Sequence, residues 1–218
     1  MSPDVSMRPE MLFDGPEGGG LTLALAHGAG APMDSPFMNT VAHGLAAEGV
    51  RVARFEFPYM RARREPASGS GRRGGAPDRE PVLRQAWLAV VEELGGGGRV
   101  VVGGKSMGGR IASMIADECG ARGVVCLGYP FHPPGQLEKL RTAHLEHLRT
   151  PALIVQGTRD PFGTREEVAG YALSSGIRLH WLEDGDHSFK PRVSSGHTEA
   201  QHLREAMAAV KSFLGSLA

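Results

Sequence analysis

Apolar residues recur along the chain in short runs separated by stretches of helical spacing. Leu21-Thr22-Leu23-Ala24-Leu25-Ala26 is nearly all apolar and stops at His27-Gly28-Ala29-Gly30-Ala31-Pro32, the pattern of a buried strand entering a glycine-rich loop. Asp34 and Ser35 are candidate N-caps, Pro36 suits a first helical position, and Phe37, Val41 and Leu45 fall four residues apart, so a helix is predicted to end near Gly49. Val50 to Pro58, with Val52, Phe55 and Phe57 alternating, reads as a second strand. Strand, loop, helix and strand in that order make a βαβ unit.

The alternation continues. Trp87, Leu88, Val91 and Leu94 mark a helix that stops at the four glycines Gly95 to Gly98, and Arg99 to Gly103 is a strand. Met107 to Cys119 is predicted helical, with Ile111, Met114 and Ile115 on one face, and Gly123 to Leu127 is a strand. Pro151 to Gln156 follows as a strand, Glu166 to Leu173 as a helix, Arg178 to Leu182 as a strand and Glu199 to Leu214 as a terminal amphipathic helix. Continuous apolar strands alternating with helices imply an α/β fold: a mostly parallel sheet with helices on both faces, with function gathered at the carboxyl ends of the strands. Met1 to Gly20 carries only weak signals, and no repeat of solenoid type is present. Met60 to Glu80 breaks the rhythm: it holds Arg61, Arg63, Arg64, Arg72, Arg73 and Arg79 around Ser68-Gly69-Ser70-Gly71. It is expected to be a flexible Arg/Gly-rich loop, the sharper alternative being an anion-attracting rim beside the site.

At 218 residues the chain is expected to form a single domain, 1–218, that includes this loop. Lys+Arg and Asp+Glu are equal at 24 each, so no global field favours nucleic acid or an anionic membrane as a partner. Cys119 and Cys126 form neither a disulfide framework nor a C-x-x-C metal or redox pair, and both are expected to be reduced and buried. No apolar stretch resembles a secretory signal or a membrane span, so a cytoplasmic protein is expected. Glycine is the outlier: 31 residues, about one in seven against a usual ~7%, which means either linker or sharp turns.

Chemistry concentrates where the glycines do. Gly104-Lys105-Ser106-Met107-Gly108-Gly109 places a serine between a valine-rich strand and an apolar-periodic helix. A serine at so sharp a turn sits in a strained backbone and needs small neighbours two positions away, which Gly104 and Gly108 supply. The alternatives for this stretch are a glycine-rich helix cap and a phosphate-binding loop. The Gly-Lys-Ser run fails the second, because the residues preceding it form the strand itself and leave no loop to wrap a phosphate. A serine hydroxyl needs a base and the base an orienting carboxylate. His187, in Asp184-Gly185-Asp186-His187, and Asp160, in Gly157-Thr158-Arg159-Asp160, both follow strands and fall at the same sheet edge. Their competitors are His27 as base and Asp184 or Asp186 as carboxylate, the two aspartates reading better as solvated turn residues. His144 and His147 share a helical spacing that can bind metal, but without a third ligand a solvated helix face is the expected role. Between Leu127 and Pro151 there is room for a wall formed by Tyr129, Phe131 and a short helix around Leu137 to Leu148, not for a full cap.

These segments, in this order, resemble the α/β-hydrolases from Leu21 to the C-terminus, and more narrowly a small branch near the dienelactone hydrolases that includes hydrolase-like domains of chromatin-complex proteins. The chain departs from the dienelactone hydrolases in having Ser106 where they use cysteine, so their substrate does not carry over. The resemblance implies a Ser106–His187–Asp160 triad and an oxyanion hole from the Met107 N–H with one from Ala29 or Gly30. It further implies a serine hydrolase acting on a small carboxylic ester or thioester, with no metal or organic cofactor. A non-catalytic interaction module on the same fold is the alternative. Nothing in the sequence sets the oligomeric state.

Overall fold

Seven strands form one sheet in the order β1-β3-β2-β4-β5-β6-β7 in the computed structural model, which describes residues 9–18, 20–64 and 76–217. β2 (Thr22–Ala26), β3 (Arg51–Phe55), β4 (Val100–Lys105), β5 (Gly123–Leu127), β6 (Ala152–Gly157) and β7 (Ile177–Leu182) run parallel. The central strands are apolar throughout because the sheet is covered twice. Leu23, Leu25, Val101, Val125, Leu153 and Val155 pack under α1 (Pro36–Ala47) and α6 (Glu199–Gly215). The alternate residues Ala24, Ala26, Val100, Val102, Val124 and Ile154 pack under α3 (Glu80–Glu93) and α4 (Met107–Cys119). Successive side chains of a strand face opposite ways, so each apolar run serves both cores.

This winding positions the site. The helix after β2 goes to one face and the helix after its neighbour β4 goes to the other. The two loops leaving the carboxyl ends of β2 and β4 therefore diverge, which opens a crevice at this switch point. Ser35 occupies the N-cap position of α1 with Pro36 following it, as the sequence predicts, although its side chain makes no capping hydrogen bond; at α6 Thr198 and Gln201 close a capping box.

Several elements differ from the expectations. The weak opening segment contains β1 (Met11–Asp14), antiparallel to β3 at the sheet edge. The expected loop at 60–80 is helical at both ends: α2 spans Pro58–Arg64 and α3 begins at Glu80. Ser68 to Gly71, Arg72 and Arg73 lie outside the described residues. Within α2, Arg64 is committed to ion pairs with Asp34 and Glu56. α5 is a single turn, Arg165–Val168, held by a Thr164/Glu167 capping box. It does not reach Leu173, because Gly170 follows and the Ser174 amide turns to the Leu145 carbonyl at 2.9 Å. No helix forms around Leu137 to Leu148: the amide of Arg141 bonds Phe131 O at 2.8 Å and not a carbonyl one turn back, and the segment packs as turns over Leu145 and Leu148. Cys126 is buried as expected, whereas Cys119 is only half-buried.

Candidate active site

The backbone around Ser106 is shaped by the strand beside it. Ser106 has φ 51° and ψ −115°, a left-handed conformation that side chains rarely adopt. The neighbouring strand β2 lies against both flanks of this turn. A Cβ on Gly104 (φ 155°) would stand 2.2 Å from the Ala26 carbonyl oxygen, and one on Gly108 would stand 2.4 Å from the same atom. Two glycines are thus required for the strand-to-helix turn to close against β2, and the turn lifts Ser106 to the head of α4.

Three of the expected residues meet there. His187 Nε2 lies 2.9 Å from Ser106 Oγ, and His187 Nδ1 lies 2.7 Å from Asp160 Oδ2. Asp160 is fully buried. Its Oδ1 accepts the Phe162 N–H at 2.9 Å, and its Oδ2 also accepts from Gln156 Nε2 at 2.9 Å. A carboxylate so bonded is fixed in direction and has its burial compensated by donors. Phe162 covers the imidazole, with ring centroids 4.2 Å apart.

The competing assignments separate cleanly. His27 Nε2 accepts the Phe57 N–H at 3.2 Å, so the proton sits on Nδ1, 2.6 Å from Gly28 O. Burial lowers its pKa, and with both nitrogens engaged it supports the loop and cannot act as the base. Asp184 is not a solvated turn residue. It is buried with φ 58°, it binds Arg192 and Arg159, and its pKa falls to about 2 because of the hydrogen bond from Arg192. Asp186 accepts the amides of Ser188 at 2.8 Å and Lys190 at 2.9 Å. The two aspartates build the turn that carries His187. His144 and His147 share no helix face. His144 turns inward, 2.9 Å from Ser113 Oγ, and burial lowers its pKa to about 4; His147 is exposed. Among the described residues no group of three metal-ligating side chains converges.

The loop after β2 is held by its carbonyls. Gly28 O accepts from His27 and Ala29 O accepts from the Tyr59 hydroxyl at 3.0 Å. Among the described residues no peptide bond is cis, so the N–H groups of Ala29 and Gly30 point away from those anchors. Gly28, Ala29 and Gly30 line, together with Ser106 and His187, a cavity of about 590 Å3 whose walls include Pro36, Phe37, Met38 and Leu203. A second groove of about 360 Å3 also reaches Ser106, lined by Ala29, Met107, Arg110, Pro130, Arg141 and Phe162 among others.

Two residues here escape motif reasoning. Gln156, a polar residue inside an apolar strand, is the visible signal for the first: besides Asp160 it bonds the Tyr129 carbonyl at 3.1 Å and accepts the Tyr129 amide at 2.7 Å. Lys105 is the second. Its ammonium donates to the His187 carbonyl at 2.5 Å and lies 5.5 Å from the Phe37 ring centroid and 5.9 Å from that of Phe189. Burial lowers its pKa to about 8, opposed by attraction to Asp160 and Asp186.

Comparison with known proteins agrees with this architecture. A family model described as an alpha/beta hydrolase domain matches residues 20–215. Among solved structures, an alpha-beta serine hydrolase homologue from Coxiella burnetii is 19% identical, with 95% of this chain and 91% of that one covered and a TM-score of 0.66. A Xanthomonas campestris serine hydrolase described as lacking a lid is 17% identical, covering 93% and 88% at a TM-score of 0.60. A monoacylglycerol lipase from Paleococcus ferrophilus is 15% identical, covering 97% and 100% at a TM-score of 0.69.

Proposed function

The chain belongs to the alpha/beta hydrolase family, and from that premise we propose that it is a serine hydrolase cleaving a small carboxylic ester or thioester through an acyl-enzyme. The observation that carries this reading is the unbroken hydrogen-bonded chain from Ser106 Oγ through both nitrogens of His187 to the buried carboxylate of Asp160. A solvent-exposed imidazole would sample many orientations. This one is held at both nitrogens, which is what general-base catalysis on a hydroxyl requires.

The steps follow from the atoms present. Ser106 Oγ bonds to the substrate carbonyl carbon while its proton passes to His187 Nε2, and the carbonyl π electrons move to oxygen. The Met107 N–H, with that of Ala29 or Gly30, stabilises the resulting oxyanion, each such donor contributing roughly 3–4 kcal/mol to the transition state. Met107 opens α4, whose N-terminal partial positive charge acts in the same direction. The bond from carbon to the leaving oxygen or sulfur then breaks, and His187 returns the proton to the leaving atom. Water enters and loses a proton to His187 as it attacks the acyl carbon; the second tetrahedral intermediate releases Ser106, which regains the proton. Asp160 keeps the Nδ1 proton in place and stabilises the imidazolium. The monoacylglycerol lipase that shares this fold is consistent with such chemistry, and the walls of Pro36, Phe37, Met38 and Leu203 suit a small apolar substituent. The expected result is that purified protein hydrolyses p-nitrophenyl butyrate and that Ser106→Ala lowers kcat at least about 1000-fold; equal rates in the two proteins would refute the proposal.

A further inference from the structure

Two spaces meet at Ser106, and they differ in chemistry. His187 lines the larger cavity and is absent from the lining of the smaller groove. In the reaction proposed above, the leaving atom must reach His187 to receive its proton, so the leaving group occupies the larger cavity and the acyl chain extends into the groove. That groove is lined by two arginines, Arg110 and Arg141.

The two arginines are not equivalent. Arg110 faces Glu80 at 3.6 Å and lies 3.6 Å from the Met114 sulfur, so its charge is partly answered within the protein. The other acid lining the groove, Asp78, accepts the Tyr59 amide at 2.9 Å. Arg141 is half-buried, and its guanidinium has no carboxylate partner among the described residues. Burial and repulsion from Arg110 both lower its pKa, which marks a cation held where its own protein does not compensate it. Its backbone, by contrast, is pinned on both sides: the amide donates to Phe131 O at 2.8 Å and the carbonyl accepts from the Tyr129 hydroxyl at 2.8 Å. Tyr129 is in turn fixed through its backbone to Gln156, the residue that also binds Asp160. A cation mounted on the same buried framework as the Asp160 carboxylate, opening on the groove beside the nucleophile, is organised for a ligand before the ligand arrives.

We propose, resting on the serine-hydrolase reading, that the preferred acyl group is that of a short dicarboxylic acid, whose free carboxylate binds Arg141 while its esterified carbonyl lies at Ser106. A planar guanidinium matches a carboxylate through two parallel N–H donors, which a lysine at the same place does not reproduce.

The test compares the monophenyl esters of glutaric, adipic and pimelic acid with the phenyl esters of the straight-chain monoacids of equal carbon number. In wild type, at least one diacid ester exceeds its neutral counterpart in kcat/KM. The charged-to-neutral ratio falls about tenfold or more in Arg141→Gln, is partly kept in Arg141→Lys, and declines as salt is raised. A ratio unchanged by Arg141→Gln at every chain length overturns the inference, while turnover of the neutral esters that is lost in Ser106→Ala leaves the hydrolase reading standing. Should no ester be turned over, binding of the free glutarate, adipate and pimelate dianions to Ser106→Ala, measured by calorimetry, decides the matter. Binding lost on adding Arg141→Gln supports the carboxylate site; binding that is absent or insensitive to that change overturns it.

Discussion

Lys105 shows how one side chain can serve the site at the expense of the fold. Its ammonium ties the carbonyl of His187 to the strand that leads into Ser106, yet burial brings its pKa from 10.5 down to about 8. The unfolded chain keeps the higher value, so between those two pH values it binds more protons than the native state, and stability rises with pH across that window. Below it the native state bears the cost of a desolvated charge, of the order of 3 kcal/mol for such a shift. Lys105→Met is therefore expected to melt no lower than wild type at pH 7 and to lose the gain in stability between pH 8 and 10. Its kcat/KM should fall roughly tenfold as the His187 turn loosens. Thermal melting at pH 7 and 9.5 beside ester kinetics checks this; a variant that melts lower at pH 7 with unaltered activity contradicts it.

At the scale of elements, the edge of the sheet depends on one buried cation. Arg54 of β3 is 3% exposed and is held by Asp14 of β1, by Asn39 of α1 and by the Met33 carbonyl at 3.0 Å. Removing the Asp14 carboxylate would leave a buried guanidinium without its counter-charge, at a cost of about 3 kcal/mol or more. Asp14→Ala should lower the urea midpoint accordingly, and Asp14→Ala with Arg54→Met should recover part of the loss; an unchanged midpoint in the single variant would show that this edge contributes nothing to global stability. The same strand explains what the sequence concealed. β2, β4, β5 and β6 are covered on both faces, so burial makes them continuous apolar runs that reveal themselves. β1 is a four-residue edge with Leu12 and Phe13 exposed, too short and too open to leave a pattern. The turns around Leu137 to Leu148 misled for the opposite reason, since Leu145 and Leu148 sit at a helix-like interval while their backbone bonds elsewhere. That Ser106, Asp160 and His187 fall at one edge of the sheet was legible because each follows a strand that was itself legible. Arg141 was not, because its place depends on Tyr129 and Phe131 across a turn that carries no periodicity.

Across the whole molecule, the sheet's switch of winding direction between β2 and β4 gathers residues from distant parts of the chain at one edge: the loop after β2, Ser106 after β4, Asp160 after β6 and His187 after β7. The connection from β5 to β6 carries no helix, and its turns form a wall beside the groove. On the proposed reading, this edge forms a covalent acyl-enzyme at Ser106. Its most direct test is the intact mass of protein quenched within milliseconds of mixing with excess p-nitrophenyl butyrate, followed by peptide mapping. A single added butyryl group is expected on Ser106, absent in Ser106→Ala and accumulating in His187→Gln only far more slowly. Turnover of the ester by the wild-type protein with no acyl adduct, or an adduct that maps to another residue, would contradict it.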